Sequence, residues 1–401
     1  MSEHISVDEA HRLILDRVRP LSAERVPVER AAGRVLARPA AAVVDLPPFA
    51  SSAMDGFAVR AADVSAGATL PVVGEIAAGH PSSRPLAVGE AMGISTGGAV
   101  PEGADTVVPL ELVHHEDLRV TFREEARQGA NVRPRGGDTR VGEPVLEAGT
   151  LLGPAQVGAL AAAGVSEVQC AKRPRVGILV TGTELRQPGD ELEPGQIYES
   201  NGLLLAAALG SAGAVPAQLG VVADDEEELR RTMERALLGF DMLVTSGGAS
   251  VGPHDLVRAV QAELRAEEVF WGVRVKPGKP VAFSMRRETP IFNLPGNPVS
   301  VLVTFELFVR PAVNAQLGLP VPLPRFHPGR LASSVRRNEL RDELVRARTD
   351  HGEGDEALLR PLEGQESHMM VRSGAADALI YVEAGTDEVS AGATVRYLDL
   401  R

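Results

Sequence analysis

Three glycine-containing loops of the sequence carry residue types suited to binding a phosphorylated ligand. Each loop follows an apolar, strand-like run: TGTEL (181–185), TSGGASVGPHD (245–255) and LPGNPVS (294–300). Free backbone N–H groups at such turns, together with a helix dipole, bind anions. Three nearby carboxylates are of the type that holds a hard divalent cation: Glu184, Asp224 and Asp255. The loops therefore predict phosphate chemistry supported by a metal ion.

A basic segment, RVKPGKP (274–280), adds cations to these loops, and Lys276 and Lys279 are candidates for binding anionic oxygens. Each feature taken alone has a simpler interpretation. Asp224 and Asp255 lie at positions typical of helix N-caps, and an isolated lysine pair is typical of a solvated rim. A site is favoured because all of these residues are expected at one edge of a sheet. The nine histidines show no ligand spacing, which argues against zinc.

The elements that would position these loops alternate between strand and helix over residues 174–318. Apolar runs such as RVGILVTG and FDMLVTSGG are separated by helical stretches such as DDEEELRRTMERALLG. This alternation predicts a mainly parallel sheet with helices on both faces. Ligands bind such sheets outside the carboxyl ends of the strands, which is where the three loops fall.

The rest of the sequence predicts a multi-domain α/β plus β protein. We assign three further domains: a helical and linker domain (1–39 and 140–173), a β-rich domain (40–139) and a C-terminal β-barrel or sandwich (325–401). In the first of these, Ser6 and Glu9 have the spacing of a capping box. A second short helix is expected from Val28 to Leu36, and a third helix, in LLGPAQVGALAAAG, is expected to pack back on the first.

Composition and charge argue against several classes of protein. The 401 residues include 41 Lys and Arg against 54 Asp and Glu, a formal net charge of −13, which argues against a general nucleic-acid binder. No apolar run approaches the roughly 20 residues of a membrane span, and the N-terminus lacks the apolar stretch of a signal peptide. The single cysteine, Cys170, excludes an intramolecular disulfide and is expected to be a small buried hydrophobe. We expect a soluble, cytoplasmic protein.

Seven motifs follow one another along the chain: SAMDGFAV, TGGAVPEGADTVV, RPRGGD, TGTEL, SGGASVG, KPGKP and LPGNPVSVLVTF. In their order and spacing, the chain resembles the molybdopterin molybdenumtransferases of the MoeA type, which are related to the gephyrin E domain. The resemblance covers essentially the whole chain. It implies that molybdenum from molybdate is inserted into adenylylated molybdopterin, with release of AMP and support from Mg²⁺.

The resemblance also implies roles for individual residues. The catalytic set comprises Asp55, Thr96, Asp138, Glu184, Asp224, Asp255, Lys276 and Lys279. The substrate and anion set comprises Gly247, Gly248, Ser250, Pro295, Gly296, Asn297, Pro298, Ser300, Arg346 and Ser367. The metal ligands would be Glu184, Asp224 and Asp255.

Family members resemble elongated homodimers whose cleft lies between the α/β domain of one subunit and the SAMDGFAV domain of the other. The upstream molybdopterin adenylyltransferase and molybdoenzyme-maturation proteins are candidate partners. The chain departs from the family pattern at Ala50 and Ser51, at Thr183 in TGTEL, and at Gly272, where some members have lysine. Two other functions suit the same fold: a non-catalytic binding scaffold, or a hydrolase of nucleotide pyrophosphates.

Overall fold

The computed structural model describes residues 4–223, 225–247, 256–351 and 356–401. The chain forms two compact units. The first comprises Met1–Glu24, Gly33–Ala37 and Cys170–Arg401, and the second comprises Arg25–Ala32 and Arg38–Gln169. The predicted domains divide these units more finely, and their boundaries stay predictions.

The first unit contains a six-stranded sheet with apolar cores on both faces. In spatial order its strands are Val215–Val222, Arg175–Thr181, Met242–Ser246, Thr289–Leu294, Ala282–Arg286 and Glu267–Trp271. The first four strands pair in parallel, and Ala282–Arg286 pairs antiparallel with both of its neighbours, so it is the one strand of this sheet that runs against the other five; this confirms the predicted mainly parallel sheet. Ile178 and Leu179 on one strand enter opposite cores, so both faces are covered. The accompanying helices are Asn201–Ser211, Glu226–Gly239 and Leu256–Glu263.

A long helix, Pro298–Gln316, runs through the core of this unit. Its α-helical parts, Pro298–Thr304 and Arg310–Gln316, flank a π-helical turn at Phe305–Val309. The helix is long and apolar enough to cross a membrane, with a mean hydropathy of 1.2, but 67% of that window is buried inside the protein. Its apolar character is therefore explained by its place in the core.

The N-terminal helix Val7–Leu15 packs on the π-helical turn and on the α-helical part that follows it. Ser6 is its N-cap, and the Ser6 hydroxyl accepts a hydrogen bond from the Glu9 N–H at 3.1 Å, as one half of the predicted capping box requires. The Glu9 carboxylate, which would form the other half, accepts hydrogen bonds from Arg12 instead. His11 is buried in this contact, with its Nε2 2.7 Å from the Leu307 carbonyl oxygen. Because a carbonyl can only accept, Nε2 carries a proton and donates it to Leu307.

Five strands of the C-terminal part of the first unit close into a barrel, which settles the predicted choice between barrel and sandwich. In order around the barrel they are Asp342–His351, Ala357–Pro361, His327–Leu331, Thr394–Asp399 and Ala378–Val382, and the last pairs with the first. The two-residue strand Val275–Lys276 joins this sheet by parallel pairing with Asp342 and Glu343. Shorter elements of this unit are the helix Met370–Ser373 and the strand pairs Val335–Arg336 with Glu388–Val389 and Leu185–Arg186 with Ile197–Tyr198.

The second unit contains a mixed six-stranded sheet, in agreement with its predicted β-rich character. In spatial order its strands are Thr106–Pro109, Gly56–Val59, Ala91–Ile94, Thr69–Ile76, Arg119–Phe122 and Val113–Glu116. Two short strand pairs, Ser51–Ser52 with Val132–Arg133 and Ala40–Ala41 with Pro144–Leu146, and the 3₁₀ turns Ala61–Asp63 and Leu110–Leu112 accompany it. The strands Ala23–Pro27 and Glu167–Ala171 lie where the chain passes from one unit to the other.

One prediction about the helical segments is wrong. The expected helix from Val28 to Leu36 is only a 3₁₀ turn, Val28–Arg30. Gly33 has a φ of +73°, which ends any helical run, and the Val28 N–H donates to the Ser166 carbonyl. The predicted helix in LLGPAQVGALAAAG is present as Pro154–Ala162, and it packs on the Val28–Arg30 turn and on Pro144–Leu146.

Candidate active site

The carboxyl ends of the parallel strands open onto a cavity of about 720 Å³. Five predicted site residues line it: Glu184, Gly247, Pro295, Gly296 and Asn297. Pro280 of the KPGKP segment also borders it, together with apolar side chains such as Leu185 and Leu229. The cavity lies where parallel sheets bind ligands. Parts of the three predicted loops therefore meet at one place.

The wall between two of these strand ends depends on a glycine. Gly247 has a φ of +93°, and a Cβ atom there would lie 2.3 Å from the Thr181 carbonyl oxygen. Thr181 is only 6% exposed, and its hydroxyl has no hydrogen-bond partner in the described part of the chain. A buried polar group without a partner costs about 1–3 kcal/mol. The described part of the cavity wall thus contains a buried hydroxyl without a hydrogen-bond partner.

Asn201 connects two of the loops and was not predicted as a site residue. Its Nδ2 donates to Ser246 Oγ at 3.0 Å and to the Gly296 carbonyl oxygen at 2.7 Å. The carbonyl can only accept, so these bonds fix which end of the amide carries the nitrogen. Asn201 Oδ1 is buried and unpartnered among the described residues. In the sequence, Asn201 looks only like the start of a helix, which gives no signal of this role.

The start of the helix at Pro298 is held by the predicted residue Ser367. Asn297 Nδ2 donates to Ser367 Oγ at 2.8 Å, and the Val299 N–H donates to the Ser367 carbonyl at 3.2 Å. Ser300, another predicted residue, is buried one turn into the helix. Ser367, which the resemblance assigns to the anion set, thus contacts the predicted anion turn directly.

Arg346 does not reach this turn with its guanidinium. The side chain is 1% exposed, and Nη1 donates to the Met369 carbonyl and to Ser373 Oγ, while Nη2 donates to the Gly364 carbonyl. Burial lowers the pKa of Arg346. The guanidinium donors are therefore directed to the segment 364–373. Arg346 instead organises the loop that carries Ser367.

The KPGKP segment lies against the same helix, because a side chain at Gly278 would come within 2.5 Å of a Thr304 methyl carbon. Lys276 is 42% exposed at its side chain, and its Nζ lies 2.9 Å from Glu343 Oε1. Lys279 is half-buried and forms no ion pair with a described residue. Of the two predicted lysines, one is already paired with a carboxylate that the sequence did not indicate.

The surroundings of Lys279 are electropositive on an acidic protein. The pKa of His4 is lowered, first by burial and then by the positive charges of Lys279 and Arg341. His4 packs beside Trp271 and next to Gly272, whose φ is +84°. A Cβ atom at Gly272 would lie 2.3 Å from His4 Nδ1, so a lysine at this position would displace His4. Glycine at position 272, where the chain departs from the family pattern, therefore leaves the space that the His4 ring occupies.

In the second unit, the predicted residues Asp55 and Thr96 form a hydrogen-bonded pair. Asp55 Oδ1 accepts from the Thr96 N–H at 2.7 Å and from Thr96 Oγ1 at 3.1 Å. Both residues are exposed, and Asp55 borders a second cavity of about 830 Å³ whose walls include Phe57. Asp138 is exposed in the same unit, and its backbone N–H donates to the Leu46 carbonyl at 2.9 Å.

Four predicted residues lie outside the described part of the chain: Asp224, Gly248, Ser250 and Asp255. Among the described residues, no group of three His, Cys, Asp or Glu side chains is placed to hold a metal ion. Glu184, the remaining predicted ligand, is exposed on the cavity wall and forms no ion pair with a described residue. A carboxylate of this kind fits Mg²⁺, which binds one or two carboxylates together with substrate phosphates.

Comparisons with known proteins find relatives along almost the whole chain. Residues 5–164 match the MoeA N-terminal region (domain I and II), 177–315 a probable molybdopterin binding domain, and 328–400 the MoeA C-terminal region (domain IV). Molybdopterin molybdenumtransferase 2 of Mycobacterium tuberculosis is 36% identical over 98% of this chain and 99% of its own. Molybdopterin molybdenumtransferase of Bacillus subtilis is 33% identical over 99% of this chain and 94% of its own. The crystal structure of the molybdopterin biosynthesis MoeA protein from Pyrococcus horikoshii is 31% identical and matches all of both chains with a TM-score of 0.85.

Proposed function

Since the chain belongs to the MoeA family of molybdopterin molybdenumtransferases, we propose that it transfers molybdenum from molybdate to adenylylated molybdopterin and releases AMP. Its role lies in molybdenum cofactor biosynthesis. The observation that carries the proposal is the cavity at the strand ends, where Glu184, Gly247 and Asn297 meet. We place the reaction in the cytoplasm, as the sequence predicts.

Different residues around the cavity are suited to binding different parts of the two substrates. The turn at Pro295 to Asn297 and the helix start beyond it suit the phosphates of the nucleotide. Lys276 and Lys279 supply positive charge for molybdate. No residue is required as a covalent nucleophile, because binding and charge stabilisation bring molybdate to the dithiolene.

The proposed chemistry uses molybdate itself as the nucleophile. A molybdate oxygen attacks the adenylyl phosphorus, the phosphoanhydride bond breaks, and the molybdopterin phosphate leaves, so that molybdate is joined to AMP through the attacking oxygen. The two dithiolene thiols then bind molybdenum in place of that oxygen and of one oxo group. AMP leaves with the bridging oxygen, and the oxo group leaves as water with the two thiol protons. Glu184, with the predicted ligands Asp224 and Asp255, would hold Mg²⁺, which when bound neutralises phosphate charge. The lysines hold the oxyanion, where two unit charges about 4 Å apart interact by roughly 4 kcal/mol at an effective dielectric of 20.

The test is to incubate the purified protein with adenylylated molybdopterin, with and without molybdate, and to measure AMP. We expect AMP release that depends on molybdate. A binding scaffold would release no AMP under either condition. A nucleotide-pyrophosphate hydrolase would release AMP without molybdate and would also cleave ordinary dinucleotides.

A further inference from the structure

The lysine predicted to bind an oxyanion is already in contact with an acid. Lys276 Nζ lies 2.9 Å from Glu343 Oε1, and the two side chains differ in exposure, at 42% and 10%. The carboxylate is thus almost enclosed, whereas the ammonium is open on one side. A carboxylate beside an anion site lowers the affinity of that site for anions, because like charges repel. The presence of Glu343 next to Lys276 therefore requires an explanation.

The pairing is fixed by the backbone and is not an accident of two mobile side chains. Strand Val275–Lys276 runs parallel to the start of Asp342–His351, with Lys276 in register with Glu343. The Asp342 N–H also donates to the Arg274 carbonyl at 3.1 Å. Both side chains therefore leave adjacent strands at the same level, and Glu343 limits where the ammonium can go.

A lysine held in this way can still bind an anion. The ammonium has three N–H donors, and the contact with Glu343 needs only one. The open side of Lys276 leaves the other donors accessible. Gly278, two residues further on, packs against the helix that begins at Pro298, so the lysine belongs to the segment beside the predicted anion turn.

We propose that Glu343 is a positioning residue of the oxyanion site. It fixes the Lys276 ammonium and cancels part of its charge, so that molybdate is held more weakly than a free lysine would hold it. This inference rests on the proposed function, in which Lys276 binds molybdate. Because the positive charge of the site is reduced, molybdate dissociates from it more easily. This suits a protein that must transfer molybdenum to a dithiolene.

The test is the variant Glu343→Gln, which keeps the size and one acceptor oxygen but removes the charge. Since the competing negative charge is lost, we expect the molybdate concentration for half-maximal binding to fall by about three- to tenfold. Binding is measured on the full chain by equilibrium dialysis with elemental analysis of molybdenum, which needs no turnover. The KM for adenylylated molybdopterin should change by less than about twofold, because Glu343 acts on the oxyanion.

Two controls make the result specific. Glu356→Gln removes a carboxylate from the exposed ion pair with Arg330 and should leave molybdate affinity unchanged. In a Lys276→Gln background, Glu343→Gln should have no further effect, because the cycle isolates the interaction between the two residues. If Glu343→Gln does not fold, Glu343→Met, an apolar side chain of similar length, carries the same expectation.

Unchanged or weaker molybdate binding in a folded variant would overturn the inference, and so would an effect that persists without Lys276. These results differ from a failure of the proposed function. If the wild-type protein binds molybdate but releases no AMP, the proposed reaction is wrong. If it releases AMP while Glu343→Gln leaves molybdate binding unchanged, only the role of Glu343 is wrong.

Discussion

At the scale of single residues, the cavity wall combines polar groups that folding alone would not favour. Thr181 and Asn201 are both buried, and each has an oxygen without a hydrogen-bond partner among the described residues. Buried unpaired polar groups are uncommon in native proteins, and departures of this kind concentrate at functional sites. Both residues line the cavity at the strand ends, so we expect ligand binding to depend on them.

The variant Thr181→Val tests this, because valine has the shape of threonine without its hydroxyl. We expect its free energy of unfolding to rise by about 1 kcal/mol, as the unpaired group is removed, and its KM for adenylylated molybdopterin to increase. Urea unfolding and steady-state kinetics measure the two effects. Thr181→Ser keeps the hydroxyl and should keep the wild-type KM. A Thr181→Val protein with wild-type stability and KM would contradict the prediction.

At the scale of elements, the contact between the N-terminal helix and the π-helical turn contains a titratable group. Burial lowers the pKa of His11, which exceeds the opposite effect of its hydrogen bond to Leu307. The unfolded chain therefore takes up a proton at a higher pH than the folded one. Stability from this group is complete above about pH 6.5 and falls below it, by up to about 1.4 kcal/mol per pH unit until the folded-state pKa is reached.

Urea unfolding at about pH 7.5 and about pH 5.5 measures this loss. The variant His11→Gln keeps a donor for Leu307 but does not titrate, so its stability should depend less on pH than that of the wild type. The difference between the two proteins isolates His11 from the other histidines. Identical pH dependence in both would show that His11 does not couple the helix contact to pH.

Sequence reasoning succeeded for elements whose signals lie within one segment. The cap at Ser6 and the alternation of strand and helix were readable because each depends on neighbouring residues. It failed where partners are distant in the chain. Nothing near Val28 shows that its N–H will bind Ser166, and nothing near Lys276 shows that Glu343 will stand in register with it.

The site residues show the same difference between what the sequence reveals and what only the folded chain reveals. Glu184, Gly247 and Asn297 were found because loops after parallel strands must meet at one edge, which is a property of the topology. Asn201 was missed because its partners, Ser246 and Gly296, come from separate loops and only the folded chain brings them together. The resemblance assigned Arg346 to the anion set, but only the folded chain shows that its donors bind the Gly364 and Met369 carbonyls and Ser373 Oγ.

At the scale of the whole molecule, the predicted homodimer leads to a test of whether each active site is shared between subunits. Asp55→Ala and Asp255→Ala proteins are dissociated together and reassembled. If the two residues act in one site from different subunits, half of the dimers are hybrids with one intact site each, and about a quarter of wild-type activity should return. Hybrid dimers, verified by differential tags, that show no activity would place both residues in the site of a single subunit.

The strand Val275–Lys276 has a consequence for how this chain can change during evolution. It contributes to a barrel whose other strands all come from residues after 326. A recombination event between the α/β sheet and the barrel would exchange Glu343 but leave Lys276 behind. The incoming barrel would have to accept a foreign edge strand and supply a carboxylate at the same level. We therefore expect residues 274–280 and the start of Asp342–His351 to be inherited together, so that the barrel is not an interchangeable module among relatives.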